Sequence, residues 1–128
     1  MTRALGVLVV LGLFECAVEA GSNPPPRRVS TGVLTVDWSI SGAQDRAFCR
    51  QSDADVISVV IDGEGEFEDV CESFQTSIEL VAGSYRGDAV LLDPSGNART
   101  TAVDLGPIDI FGNDELVVPI DFPPDAFY

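Results

Sequence analysis

Apolar and polar residues alternate with a period of two through most of the chain after residue 31, and this pattern limits the fold more than any other feature. Because successive side chains of a β-strand point to opposite faces, such alternation predicts strands with one buried face. Only residues 43–50 are compatible with a helical turn, since no longer segment keeps a 3.6-residue apolar period. The apolar sets are Leu34/Val36/Trp38/Ile40, Ile57/Val59/Ile61, Phe74/Ile78/Leu80, Tyr85/Ala89/Leu91, Val103/Leu105/Ile108/Ile110 and Leu116/Val118/Ile120/Phe122.

Residues that favour turns separate these segments. Gly, Asn and Pro, which tight reversals need, occur at 62–63, 82–84, 94–97 and 112–114. Six or seven short strands with this spacing are typical of a single antiparallel β-sandwich of immunoglobulin-like or prealbumin-like type. We therefore predict an all-β sandwich domain over residues 32–128.

Two segments indicate their positions within a sheet. The run 56–62 is nearly apolar on both sides, which is typical of a central strand. The last alternating segment contains Pro119, which has no backbone N–H to donate. Pro119 therefore predicts that this strand lies at a sheet edge or carries a bulge.

The first twenty residues have the layout of a signal peptide. Arg3 precedes an apolar run over 4–14, which is far shorter than the roughly 20 residues of a membrane-spanning helix. Val18 and Ala20 suit cleavage after Ala20. We therefore expect residues 1–20 to be removed on export, and the protein to reach the periplasm, the outer membrane or the extracellular space.

Cys16 offers an alternative processing route, because it directly follows the apolar run and could carry the lipid of a bacterial lipoprotein. The match to a lipobox is partial, since Glu15 stands where a small residue is expected. In that case the lipid alone would contact the bilayer. Residues 21–31 include three consecutive prolines and are predicted to form an extended tether.

Cys49 and Cys71 are the two cysteines outside the targeting segment. In an exported protein they are expected to form a disulfide, which would join the loop 42–52 to the hairpin around Glu72. The alternative is a redox-active pair, which normally needs Cys-x-x-Cys spacing or a nearby cation. Only Arg50 is adjacent in sequence, so a structural bond is favoured.

Acidic residues crowd positions 53–72. Glu64, Glu66 and Glu68 are spaced by two, so on a strand their carboxylates would share a face and could bind Ca²⁺ through oxygen ligands. The alternative is a solvated row of charge that discourages edge-to-edge pairing of sheets. The Asp-x-Asx-x-Asx-Gly order of a dedicated calcium loop is absent, which favours the second interpretation.

The segment Leu-x-x-Gly-x-Tyr over residues 80–85 is typical of a tyrosine corner. Gly83 would allow a positive φ there, while Tyr85 packs inward and its hydroxyl bonds back to the backbone. Trp38 is in phase with three aliphatic residues. Both aromatic residues are therefore interpreted as parts of the framework rather than as ligand contacts.

Composition excludes several functional classes. The chain has 21 acidic and 7 basic residues, a net charge of −14 and no His, and every basic residue is Arg. These absences remove Ser–His and Cys–His pairs, Schiff-base lysines and His-containing metal sites. Binding to nucleic acid or to anionic membranes is disfavoured, because both need clustered cations. We predict a monomer that is not an enzyme and has no cofactor.

Several segments together resemble a group of small exported lipoproteins from GC-rich Gram-negative bacteria. They are residues 34–40, Cys49, Cys71, 80–85 and 118–122. The corner and the strand after it are more distantly similar to carboxypeptidase-regulatory-like and prealbumin-like sandwiches. The resemblance implies an exported domain with a lipidated cysteine and no catalytic motif.

The function expected from the sequence is that of a non-catalytic module in the cell envelope. It would be structural, or it would bind an envelope protein or polysaccharide whose identity the sequence does not indicate. The alternative is a Ca²⁺-dependent adhesion or sensor module that uses Glu64, Glu66 and Glu68.

The processing hypothesis predicts the mass of the mature protein. After expression in a Gram-negative host, intact mass spectrometry should find a chain that starts at an unmodified Gly21. A chain that starts at an acylated Cys16 would replace this route with lipidation. A chain that still carries residues 1–20 would contradict both.

Overall fold

The computed structural model of the protein describes residues 29–128. The predicted signal peptide, Cys16 and most of the predicted tether lie outside these residues. The described part contains nine strands, one short α-helix and two 3₁₀ turns, Cys71–Ser73 and Pro124–Ala126. The other elements are β1 (Thr31–Ile40), α1 (Arg46–Gln51), β2 (Val56–Ile61), β3 (Gly65–Val70), β4 (Gln75–Val81), β5 (Gly83–Tyr85), β6 (Gly87–Leu92), β7 (Val103–Asp104), β8 (Ile108–Ile110) and β9 (Glu115–Phe122).

The strands form three sheets. A three-stranded sheet has the order β9-β1-β4, a four-stranded sheet has the order β3-β2-β6-β7, and β5 pairs with β8. This architecture confirms the predicted all-β sandwich. One pair departs from antiparallel order, because β9 runs parallel to β1 from Glu115 opposite Val33 to Phe122 opposite Ile40.

The core lies between the inner faces of the two larger sheets. On β1, alternate side chains are buried, and Leu34, Val36 and Trp38 have no exposed surface. They belong to the same buried cluster as Ile57 and Leu91 of the four-stranded sheet. The alternation in the sequence therefore identifies the core face correctly, as expected where one face of a strand is buried.

The predicted positions of two strands are confirmed. β2 lies between β3 and β6 in the four-stranded sheet. β9 lies at the edge of the three-stranded sheet, where Pro119 deprives no further strand of a hydrogen bond. The helical turn also forms where it was expected, with the Asp45 carboxylate accepting a 2.9 Å bond from the N–H of Ala47 at its start.

The chain makes more and shorter strands than predicted, because Arg86 separates β5 from β6 and the acidic segment adds β3. The predicted reversal at 82–84 is wrong. Ala82 is a bend, and Gly83 has a φ of 159°, which is extended backbone, so the chain continues from β4 into β5. Within residues 29–128, no helix is long and apolar enough to cross a membrane.

The start of β1 passes very close to the loop between β8 and β9. A Cβ atom at Gly32 would lie 2.3 Å from the carbonyl oxygen of Phe111 and 2.9 Å from that of Asp114. The N–H of Val33 donates to the same Asp114 carbonyl at 2.9 Å. Only glycine fits at position 32, and the close approach sets the point at which β9 joins β1.

Candidate functional site

A disulfide joins two of the connections that pass from one large sheet to the other. Cys49 lies on α1, between β1 and β2, and Cys71 begins the 3₁₀ turn between β3 and β4. Their sulfur atoms are 2.09 Å apart and their Cα atoms 6.1 Å apart. Both cysteines are buried, which confirms the predicted bond between Cys49 and Cys71.

Trp38 and Phe74 complete this region, and we call the four residues Trp38, Cys49, Cys71 and Phe74 the disulfide junction. The indole N–H of Trp38 donates to the carbonyl oxygen of Cys71 at 3.0 Å, and its backbone N–H donates to Phe74 at the same distance. The two aromatic rings are 6.4 Å apart, centre to centre. Trp38 is fully buried and therefore belongs to the core, as expected.

An ion pair and an open concavity lie outside the disulfide junction. Arg50 and Glu72 approach to 3.2 Å, with 65% and 35% of their side chains exposed. Exposed pairs of this kind contribute little to stability. The concavity, about 420 Å³ in volume, is lined by polar residues that include Arg50, Asp53, Asp55 and Glu72. The guanidinium of Arg50 bonds to the carboxylate of Glu72 rather than to either disulfide sulfur. This favours the structural interpretation of the disulfide over the redox one.

The Tyr85 hydroxyl bonds back to the backbone as predicted for a tyrosine corner, whereas Gly83 is extended and does not take the left-handed conformation that was expected there. The hydroxyl of Tyr85 donates to the carbonyl oxygen of Val81, four residues earlier. The Tyr85 ring packs across Gly83, where a Cβ atom would lie 3.8 Å from the ring. The ring is also partly buried against the core. Tyr85 therefore stabilises the bend between β4 and β5. Its hydroxyl proton is already used in the bond to Val81.

The three glutamates of the predicted calcium row do not share one strand. Glu64 lies in the turn before β3, while Glu66 and Glu68 lie on β3. Glu66 also accepts a hydrogen bond from the hydroxyl of Ser58. Among residues 29–128, no group of three or more His, Cys, Asp or Glu side chains could hold a metal ion. Because β3 is an edge strand, its carboxylates lie where charge discourages pairing with another sheet.

The outer face of the four-stranded sheet has a composition that the sequence interpretation missed. Strand register places Val70, Val56 and Leu92 side by side toward one end of the strands, and Glu66, Asp88 and Asp104 in one row with Val60 toward the other. Val60 is 38% exposed and Val70 is 52% exposed. We call this surface the acidic–aliphatic face. Its members are Val56, Ser58, Val60, Glu66, Glu68, Val70, Asp88, Val90, Leu92 and Asp104.

No basic residue lies on the four strands that form this face. Asp88 of β6 even lies directly opposite Asp104 of β7. Like charges opposite each other on neighbouring strands are unfavourable. Exposed aliphatic groups rimmed by polar residues are typical of interaction surfaces. The acidic–aliphatic face is therefore the candidate binding surface.

The outer face of the three-stranded sheet differs, because its polar groups satisfy one another. Thr35 is only 2% exposed there, and its hydroxyl is 3.0 Å from that of Ser77. Thr35 also donates to Glu115 at 2.5 Å, while Ser39 donates to Asp121 at 2.6 Å. These cross-strand bonds connect all three strands, while Val81 and Val117 of the same face stay 47% and 48% exposed.

Comparison with known proteins provides a likeness of fold alone. No protein-family model matches the chain, and no curated protein matches it. One solved structure, a leucine-rich repeat protein from Bacteroides thetaiotaomicron, is similar over 74% of this chain with a TM-score of 0.50 and 15% identity. The chain spans 12% of the length of that protein.

The disulfide makes a prediction about stability. Replacing both Cys49 and Cys71 with Ala should lower the free energy of unfolding by about 3 kcal/mol, because the bond closes a loop of 22 residues. Urea denaturation with tryptophan fluorescence measures the loss. Arg50→Ala is the matched control and should cost under about 1 kcal/mol. Equal losses in the two variants would contradict a structural role for the bond.

Proposed function

We propose that the protein is an exported, non-catalytic binding domain of the cell envelope. The observation that supports this proposal is the acidic–aliphatic face, where Val60 and Val70 are exposed on strands that also carry carboxylates and no basic residue. A β-scaffold stabilised by a disulfide can present such a face with little loss of entropy on binding. The buried disulfide also favours an oxidising compartment, in line with the predicted signal peptide.

The chemistry of this face favours a protein partner over a polysaccharide. Its apolar members are all Val or Leu, so it presents no aromatic ring on which a sugar could stack. The exposed aromatic residues Phe111 and Tyr128 lie outside the strands of this face, while Trp38 is buried in the core and Tyr85 bonds to Val81. A catalytic role has less support, because the carboxylates of this face lie on a flat sheet surface rather than across a cleft.

Site-specific photo-crosslinking in the producing cell tests the proposal. A photoreactive amino acid replaces Val60 in one variant and Val117 in the other. Both valines are exposed on outer strand faces, at 38% and 48%, but Val117 belongs to the three-stranded sheet. We expect a discrete crosslinked protein at position 60 and none at position 117.

Two results would contradict the proposal. One is the absence of any crosslink at position 60 in a variant that folds and is exported normally. The other is the same set of crosslinked proteins at both positions, which indicates random collision. Attachment of polysaccharide at position 60 alone would keep a binding role and change the class of partner.

A further inference from the structure

We propose that β4 binds an extended segment of a partner protein, which adds a fourth strand to the three-stranded sheet. In this segment, apolar residues alternate with polar residues that are not acidic. The site lies at a sheet edge, away from the acidic–aliphatic face, and goes beyond the proposed function. Its basis is the set of backbone groups that β4 leaves unpaired and the way in which the other edge strands are protected.

The pairing with β1 determines which backbone groups of β4 point away from the sheet. The N–H of Trp38 donates to the carbonyl of Phe74 at 3.0 Å, and the N–H of Ala82 donates to that of Ser30 at 2.8 Å. These two pairs extend the antiparallel register of β1 and β4 by one position at each end. Because hydrogen-bonded pairs alternate along such a register, only every second residue of β4 bonds to β1. The peptide groups that point outward, which we call the open edge, belong to Gln75, Ser77, Glu79 and Val81.

The open edge has almost no partner within the chain. In residues 29–128, the only hydrogen bond to one of its peptide groups is that from the Tyr85 hydroxyl to the carbonyl of Val81. Four N–H groups and three carbonyls are therefore left, on residues that are all exposed. They repeat every second residue, or about every 6.8 Å. An extended protein backbone repeats its own N–H and C=O groups at this spacing, so a β-strand is the ligand that fits.

Proline protects the opposite edge of the same sheet. The carbonyl of Asp114, just before β9, accepts the N–H of Val33 at 2.9 Å. Since alternate residues of a strand point to the same side, the even-numbered residues of β9 face β1 and Pro119 points outward. Pro119 has no N–H and therefore interrupts this edge for an incoming strand.

Carboxylates and short length protect the other edges in the described part of the chain. On β3, the Asp69 carboxylate accepts the N–H of Val70 at 2.7 Å, and Glu66 and Glu68 add charge along the strand. β7 has two residues, and β5 and β8 have three each. β4 has seven residues, no proline and one charged side chain, that of Glu79. It is therefore the long edge strand that stays open to pairing.

The side chains of β4 indicate the chemistry of the added strand. Ile78 and Leu80 face the core and are 5% and 3% exposed. Every second side chain of an added strand would lie on this side, where apolar residues continue the core face. The other side chains would lie on the outer face, where a second carboxylate beside Glu79 is unfavourable. A second copy of this chain fits less well, because two chains of net charge −14 would meet.

Two short synthetic peptides that alternate Val and Thr test the added strand. One carries N-methyl groups on the backbone nitrogens of its Val residues, and the other carries them on those of its Thr residues. In an antiparallel strand with Val on the core side, the Thr N–H groups bond to β4 and the Val N–H groups point to solvent. We expect the Val-methylated peptide to shift amide NMR signals of β4 in the oxidised, isotopically labelled protein. It should bind at least about tenfold more tightly than the Thr-methylated peptide, which lacks several hydrogen bonds.

Proline variants of the protein locate the site. Ser77→Pro removes an outward N–H from the middle of β4 and none that bonds to β1, so it should weaken the Val-methylated peptide at least about tenfold. Ser77→Ala removes the hydroxyl near Thr35 but keeps this N–H, and should bind as the unmodified protein does. Val117→Pro is the matched control, because Val117 also points outward but lies on β9, and it should leave binding unchanged.

The inference is overturned if neither peptide binds, if both bind equally, or if Ser77→Pro and Val117→Pro weaken binding alike. Tighter binding of the Thr-methylated peptide would still support strand addition, with the partner strand parallel to β4. Sedimentation velocity of the protein alone should find a monomer. A dimer that Ser77→Pro abolishes would assign the open edge to a second copy and overturn the partner strand. The crosslink at position 60, on the other large sheet, is independent of all these results.

Discussion

The hydrogen bond from the buried indole of Trp38 to the carbonyl of Cys71 is the contact on which the rest of the sandwich depends. Trp38 lies on β1, the central strand of the three-stranded sheet. Cys71 directly follows β3, where the chain leaves the four-stranded sheet. The disulfide then connects the same turn to α1, through which the chain first passes between the sheets. The disulfide junction thus holds both crossings at one end of the sandwich. Because the indole and the carbonyl are buried, loss of either would leave an unsatisfied polar group in the core.

The two outer faces differ in how many of their polar side chains are hydrogen-bonded across strands. On the three-stranded sheet, hydroxyls and carboxylates from neighbouring strands pair with one another, as Thr35 does with Ser77 and Glu115. On the four-stranded sheet, valines remain exposed and two aspartates face each other. The first arrangement stabilises the isolated domain. Covering the second would bury apolar surface and separate its carboxylates from water, which is how the fold relates to the proposed function.

Local rules predicted much of the fold. Alternation found the core face of β1, and Pro119 indicated an edge strand, because each depends on the chemistry of neighbouring residues. The cysteine pair followed from the predicted export and from the absence of redox spacing. The parallel pairing of β1 and β9 could not be predicted, since alternation is the same for either strand direction. It depends on the close packing at Gly32, which brings together residues far apart in sequence.

The candidate site was harder to predict than the fold. The apolar run that forms β2 correctly indicated a central strand, but alternation does not reveal whether the second face is covered by the same chain. The structure leaves Val60 exposed, so that face is open. The acidic spacing suggested one row of three carboxylates, yet the tight turn after β2 includes Glu64 and removes it from the strand. Turn boundaries depend on strand pairing, which spacing alone does not specify.

Hydrogen exchange at the indole N–H of Trp38, followed by NMR across a denaturant series, tests the central role of the disulfide junction most directly. If the junction holds both crossings, this proton exchanges only through global unfolding. Its exchange free energy should then equal the free energy of unfolding from equilibrium denaturation. Exchange through local opening, at a free energy several kcal/mol below the global value, would show that the sandwich stays folded without this contact and would contradict the account.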